Sequence, residues 1–168
     1  MKAIARAFAM DEATWDRHAN PWSAWTRVPV LPLLCLAIWA RVWIGWWCLL
    51  PIGALVAWTW ANPRAFPPPA HTRAWASRAV MGERVWLARE QVPIPRHHAL
   101  WAWLLTAVSA AGMPFLLWGL WALEIWPLLL GLLLVIGGKL WFLDRMVWLF
   151  DGMAETAPDY GRWRRGTP

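Results

Sequence analysis

Apolar residues along this chain gather into long runs with few polar interruptions, unlike the alternating or one-faced patterns of a water-soluble fold. A helix rises 1.5 Å per residue, so about 20 mostly apolar residues cross a hydrocarbon core of roughly 30 Å. Four segments meet that requirement: residues 22–40, 43–61, 99–123 and 125–143. Arg27, Pro29 and Pro32 interrupt the first early on, where proline is tolerated in an opening turn. Asn20 and Pro21 before it fit an N-cap and a first helical residue. Pro114 predicts a kink in the third segment, and Pro127 suits the opening of the fourth.

The segments pair. One helix over 28–61 would be about 51 Å long, too long for a bilayer even when tilted, so Arg41 marks a turn. The stretch 99–143 folds back by the same reasoning at Glu124, the only charge before Lys139. The pattern predicts an all-α integral membrane protein with four transmembrane helices arranged as two hairpins. It divides the chain into an N-terminal segment (1–21), a first hairpin (22–61), a basic linker (62–98), a second hairpin (99–143) and a C-terminal segment (144–168). The small-xxx-small pairs Gly53 with Ala57 and Ala107 with Ala111 offer close helix contacts or a homodimer seam, and Gly137 and Gly138 admit a close neighbour.

The linker reads differently. Pro67, Pro68 and Pro69 enforce extended chain, and then Trp75, Ala79, Val85 and Trp86 alternate with Arg73, Arg78, Glu83, Arg84, Arg89 and Glu90 at helical spacing. A basic amphipathic helix with Trp on its apolar side lies in the membrane plane, so an interfacial helix is expected over 72–91, ended by Pro93 and Pro95. A short amphipathic extension is expected over 146–153.

Composition agrees with a bilayer as solvent: 60% of the residues are apolar and 15% charged, against about 45–50% and 25% in soluble domains. Cys35 and Cys48 sit inside apolar runs and read as small hydrophobes. Residues 1–10 carry Lys2 and Arg6 but no apolar stretch of signal-peptide length, so no cleavage is expected and residues 22–40 read as the first span. If both termini face the cytoplasm, all but Arg41 of the sixteen Lys and Arg residues lie on that side. That predicts a multi-pass protein of the inner (cytoplasmic) membrane. Fourteen of the nineteen Trp residues would then form an inner belt (Trp22, Trp25, Trp58, Trp60, Trp101, Trp103, Trp141) and an outer one (Trp39, Trp43, Trp46, Trp47, Trp118, Trp121, Trp126). The positive balance addresses the bilayer and its anionic lipids, not nucleic acid.

Three blocks carry a resemblance: Arg17-His18-Ala19-Asn20-Pro21-Trp22-Ser23, Gly82-Glu83-Arg84-Val85-Trp86-Leu87, and Lys139-Leu140-Trp141-Phe142-Leu143-Asp144-Arg145-Met146-Val147-Trp148-Leu149. In these the chain resembles a family of small prokaryotic multi-span membrane proteins catalogued as a domain of unknown function. The resemblance spans roughly residues 15–160 and implies no activity.

Chemistry must therefore be sought in the residues. All three blocks fall on the cytoplasmic side of the expected topology. There Arg27, Arg64, Arg84, Lys139 and Arg145, with Asn20 and Asp144, are candidates for holding an anion such as a phosphate-bearing headgroup. Snorkelling and interfacial pairing are the plainer account of such residues. Lys139 is the most pointed, about 21 Å along its helix from Ile125, and its expected partner is Asp144 or Glu83. Two function classes follow. One is a non-enzymatic protein whose cytoplasmic polar face binds anionic lipid or docks a partner protein. The other is a membrane-embedded enzyme acting on a phosphate-bearing lipid or prenyl substrate, with Glu83 or His18 as acid/base. His97 and His98 are adjacent and diverge on a helix, and His18 and His71 lack a ligand at i+4, so neither metal nor haem is expected and no cofactor is assigned.

Overall fold

The apolar runs become helices throughout the computed structural model, which describes residues 11–166. The reading of residues 1–10 as an uncleaved start lies outside the described residues. In chain order the helices are α1 (Glu12–His18), α2 (Pro21–Trp25), α3 (Val30–Trp39), α4 (Arg41–Ile44), a 3-10 turn (Gly45–Cys48), α5 (Leu49–Ala65), α6 (Trp75–Leu87), α7 (Arg96–Ala122), α8 (Ile125–Thr156) and α9 (Pro158–Gly161). No strand occurs among the described residues. Among the described residues, three helical stretches are long and apolar enough to cross a membrane: Pro21–Ala65, Arg96–Ala122 and Ile125–Thr156. The expected segments 22–40 and 43–61 thus form a single qualifying stretch. The reason is length: α3 has ten residues, about 15 Å, and reaches farther only together with the turns around it.

Local chemistry explains the breaks. Asn20 caps α2 as expected, its Oδ1 accepting from the Trp22 N–H at 3.0 Å with Pro21 in the first turn. Gly45 turns the chain at φ 54°, a backbone conformation open to glycine. The interruption therefore runs from Arg41, where the short α4 begins, to Gly45. Arg41 satisfies carbonyls there: its Nη2 donates to Leu120 O at 2.5 Å and its Nη1 to Ile38 O at 3.2 Å. A helix C-terminus leaves such carbonyls without intrahelical partners. α7 ends on Leu123 in the left-handed conformation, φ 58°.

α7 and α8 run antiparallel in close contact. A Cβ on Gly119 would lie 2.4 Å from the Leu128 nitrogen, one on Gly131 2.4 Å from the Leu116 nitrogen, and one on Gly138 2.5 Å from Ser109 Oγ. Gly112 meets the same helix at Leu134 and Gly131. These glycines repeat at intervals of seven, the spacing that keeps one seam facing a partner helix. Gly138 thus makes the close contact expected of the 137–138 pair, and Gly137 faces open space, as does Gly53.

α6 departs from its expected role. Its apolar side, with Ala79, Val80, Val85 and Trp86 buried, packs on α8 and is covered by protein. Gly82 makes this possible, because a Cβ there would lie 1.9 Å from the Met146 carbonyl oxygen. The expected extension over 146–153 is the end of α8 itself, with Met146, Val147, Leu149, Phe150 and Met153 buried. The boundary placed at 143 therefore dissolves: α8 continues because α6 and α9 cover its last turns. One core lies here, among α6, the first half of α7 and the second half of α8. A smaller one, around Cys35, Leu116, Leu120 and Leu128, ties α3 to the α7–α8 turn at the other end.

Candidate functional site

α1 ends at His18, two residues before the Asn20 cap, and this short reversal sets the imidazole against α2. Arginine is donor-only, so the 2.8 Å contact from Arg27 Nη2 makes His18 Nε2 an acceptor. The ring proton is then on Nδ1, donating to Ser23 Oγ at 3.0 Å. Ser23 donates onward to Asn62 Oδ1 at 2.8 Å, Asn62 Nδ2 to Thr26 Oγ1 at 2.9 Å, and Thr26 to the Trp22 carbonyl at 2.6 Å. Ser23 and Asn62 are fully buried. Each donor in this chain has one acceptor, which fixes every hydroxyl and amide direction. Burial first, and the Arg27 charge second, push the His18 pKa down to about 3, so the ring is neutral.

The network aims Arg27. Its Nε donates to Ser23 O at 3.2 Å and its Nη2 to His18, leaving Nη1 with no hydrogen-bond partner among the described residues. Across from it, Lys139 on α8 donates to Glu83 Oε1 on α6 at 2.5 Å. Burial pushes the Glu83 carboxyl up, but the Lys139 charge and hydrogen bond, helped by Arg27, outweigh it and hold the group below the usual carboxylate range. The Lys139 side chain is 52% exposed against 15% for Glu83, so the ammonium keeps accessible donors.

These four residues line a cleft of about 440 Å³. Val28, Leu31 and Thr59 of the first helical stretch form one wall, and Val135, Ile136 and Leu140 of α8 the other. Its lining is mostly apolar apart from these four side chains and Thr59. Of the anticipated site residues, His18, Arg27, Glu83 and Lys139 come together here, and Glu83 is the partner of Lys139. The others lie elsewhere. Asn20 caps α2 and donates from Nδ2 to the Pro67 carbonyl at 3.0 Å. Arg64 lies over its own helix, 4.5 Å from the Trp60 ring centre. Arg84 follows Glu83 in sequence but leaves α6 in another direction, pairing with Glu12 at 2.8 Å and covering the Trp163 ring at 4.1 Å. Asp144 and Arg145 pair with each other at 2.9 Å, and Asp144 also accepts from Trp75 Nε1.

Ser23 and Thr26 are not anticipated as site residues, since single small polar side chains near span ends are commonplace. The one available signal was Asn62 beside Pro63 at the close of an apolar run. Among the described residues, no three His, Cys, Asp or Glu side chains group as metal ligands would.

Among the described residues, the fold and the cleft define an all-helical protein with three membrane-span-capable stretches and an amphiphilic cleft lined by the first and third of them together with α1 and α6. The chain belongs to a family of unknown function, DUF6653, whose model matches residues 1–168. No curated protein and no solved structure matches it.

Proposed function

We propose that this is a multi-pass membrane protein that binds an anionic lipid, headgroup first, in the cleft closed by Arg27, Glu83 and Lys139. One observation carries the reading: a cleft of about 440 Å³ with a mostly apolar lining in which Arg27, Glu83 and Lys139 are grouped. Binding pockets have this build, mostly apolar with a few convergent polar groups, at roughly 300–1,000 Å³. Two cations face one carboxylate there, leaving a positive charge for an anionic head. Both cations are set by protein contacts before any ligand arrives, which lowers the entropic cost of binding.

In this reading the chain crosses four times as two hairpins. Asn62 at the end of α5 returns to Ser23 and Thr26, which supports the first hairpin, and Arg41 at its tip meets Leu120 at the end of α7. The tip and the α7–α8 turn then face outward. The cleft, α6 and both termini face the cytoplasm across an inner membrane. The enzyme alternative loses its histidine, because both His18 ring nitrogens are engaged in the buried network.

Gentle extraction followed by native mass spectrometry tests the proposal. A stoichiometric anionic lipid on the wild type, lost from Arg27→Gln and Lys139→Gln variants that keep the wild-type melting temperature, is the expected result. A protein free of lipid, or one carrying a partner protein or second copy whose binding ignores both substitutions, overturns it.

A further inference from the structure

The cleft presents an unusual count of charges. Arg27 and Lys139 are cationic, Glu83 is paired with Lys139, and His18 is neutral because a donor-only guanidinium occupies its Nε2. One positive charge is left over. Resting on the lipid-binding reading above, we infer that Glu83 is the specificity-determining residue of the site: by occupying one of the two cations it matches the cleft to a head bearing a single negative charge, such as a phosphodiester, and turns away a phosphate monoester with two.

The geometry places Glu83 for this role. It projects from α6, held on α8 by the Gly82 contact with Met146, so its carboxylate is anchored by a rigid helix pair. Lys139 comes from α8, the other member of that pair, while Arg27 comes from the turn after α2 and is held by His18 and Ser23. An arriving anion finds the Arg27 Nη1 unpaired among the described residues and the Lys139 ammonium with two donors beyond the Glu83 bond. A singly charged head balances the end of the cleft. A second negative charge has no cation left to meet and lies close to the Glu83 carboxylate in a setting of low dielectric, where like charges repel strongly.

Substitutions change this count in whole steps. Glu83→Gln raises the surplus to two charges, Lys139→Gln lowers it to zero, and the double variant returns it to one. Purified protein is exchanged with mixed micelles carrying equal amounts of dioleoyl phosphatidylglycerol, phosphatidic acid and phosphatidylcholine, and the bound lipids are counted by native mass spectrometry at pH 8. The wild type should favour phosphatidylglycerol. Glu83→Gln should shift the ratio of phosphatidic acid to phosphatidylglycerol upward by about tenfold, Lys139→Gln should abolish the preference over phosphatidylcholine, and the double variant should restore the wild-type order.

Restoration in the double variant separates charge matching from damage to the fold, since two destabilising changes do not repair each other by being combined. An unchanged lipid ratio in Glu83→Gln, with anionic lipid still bound, refutes the role of Glu83 and leaves the binding site standing. A double variant that behaves as the sum of two losses also refutes it. No anionic lipid on the wild type removes both readings together.

Discussion

Gly82→Ala tests the packing that places Glu83. The added Cβ would sit 1.9 Å from the Met146 carbonyl oxygen and 2.5 Å from its carbon. Both are backbone atoms of α8 and neither can swing aside, so α6 must move by about 1 Å or more to restore a normal contact. Overpacking of this kind costs about 1–3 kcal/mol, and rigid backbone on one side puts it near the top of that range. Alanine returns roughly 1 kcal/mol through its better helix propensity. The net expectation is a loss of about 2 kcal/mol, or a fall of about 4–8 °C in melting temperature for a chain of this size. Gly152→Ala is the matched control: it lies in α8 with nothing within 4 Å of its Cβ position, and should gain about 0.5–1 kcal/mol. Thermal unfolding of both variants in the same detergent, followed by near-UV circular dichroism, reads the two signs. A Gly82→Ala variant melting at or above the wild-type temperature would show that α6 is not held on α8 as described.

The buried network makes two further predictions. His18 is neutral when folded, with its pKa pushed down to about 3 by burial and by Arg27, whereas the unfolded ring takes a proton near 6.5. The unfolded state therefore binds more protons between those values, and stability is full above about pH 6.5 and falls by about 1.4 kcal/mol per unit as the pH drops toward 3; His18→Gln should flatten that slope, and an identical slope in the variant would contradict the assignment. Asn62→Leu should cost about 2 kcal/mol, because the buried Ser23 hydroxyl loses its acceptor and Thr26 its donor. Denaturant titration of Asn62→Leu beside Thr59→Leu, which removes a hydrogen bond within α5 and none between helices, would expose an error if the two cost the same.

Much of the site was legible as a list and little of it as a place. Lys139 drew attention because a charge deep in an apolar run is costly, and Glu83 was one of two partners expected for it. The choice between Glu83 and Asp144 was not available from sequence, since Asp144 is five residues along the same helix, just outside the i, i+3 and i, i+4 positions that meet, and Glu83 lies 56 residues away on another helix. Asp144 is taken by Arg145 and Trp75, while Glu83 is brought to Lys139 by the packing of α6 on α8. The basic face of 72–91 looked like a membrane-surface helix because period and charge describe one helix at a time. A face that is apolar enough for lipid is also apolar enough for a neighbouring helix, and α8 covers it.

What the sequence by itself determined is the class of element and of environment. Unbroken apolar runs, their lengths, and the breakers at Asn20, Pro21 and Glu124 specify helices that suit a bilayer, because those signals act within a few turns of chain. Which helices touch was decided only by the tertiary structure. Ser23 and Asn62 are 39 residues apart, Glu83 and Lys139 56 apart, and Arg41 and Leu120 79 apart. No local period encodes those distances. They follow from where glycines permit backbones to approach, from the turn at Gly45, and from the need of buried donors such as the His18 Nδ1–H and the Ser23 hydroxyl to find acceptors once water is gone.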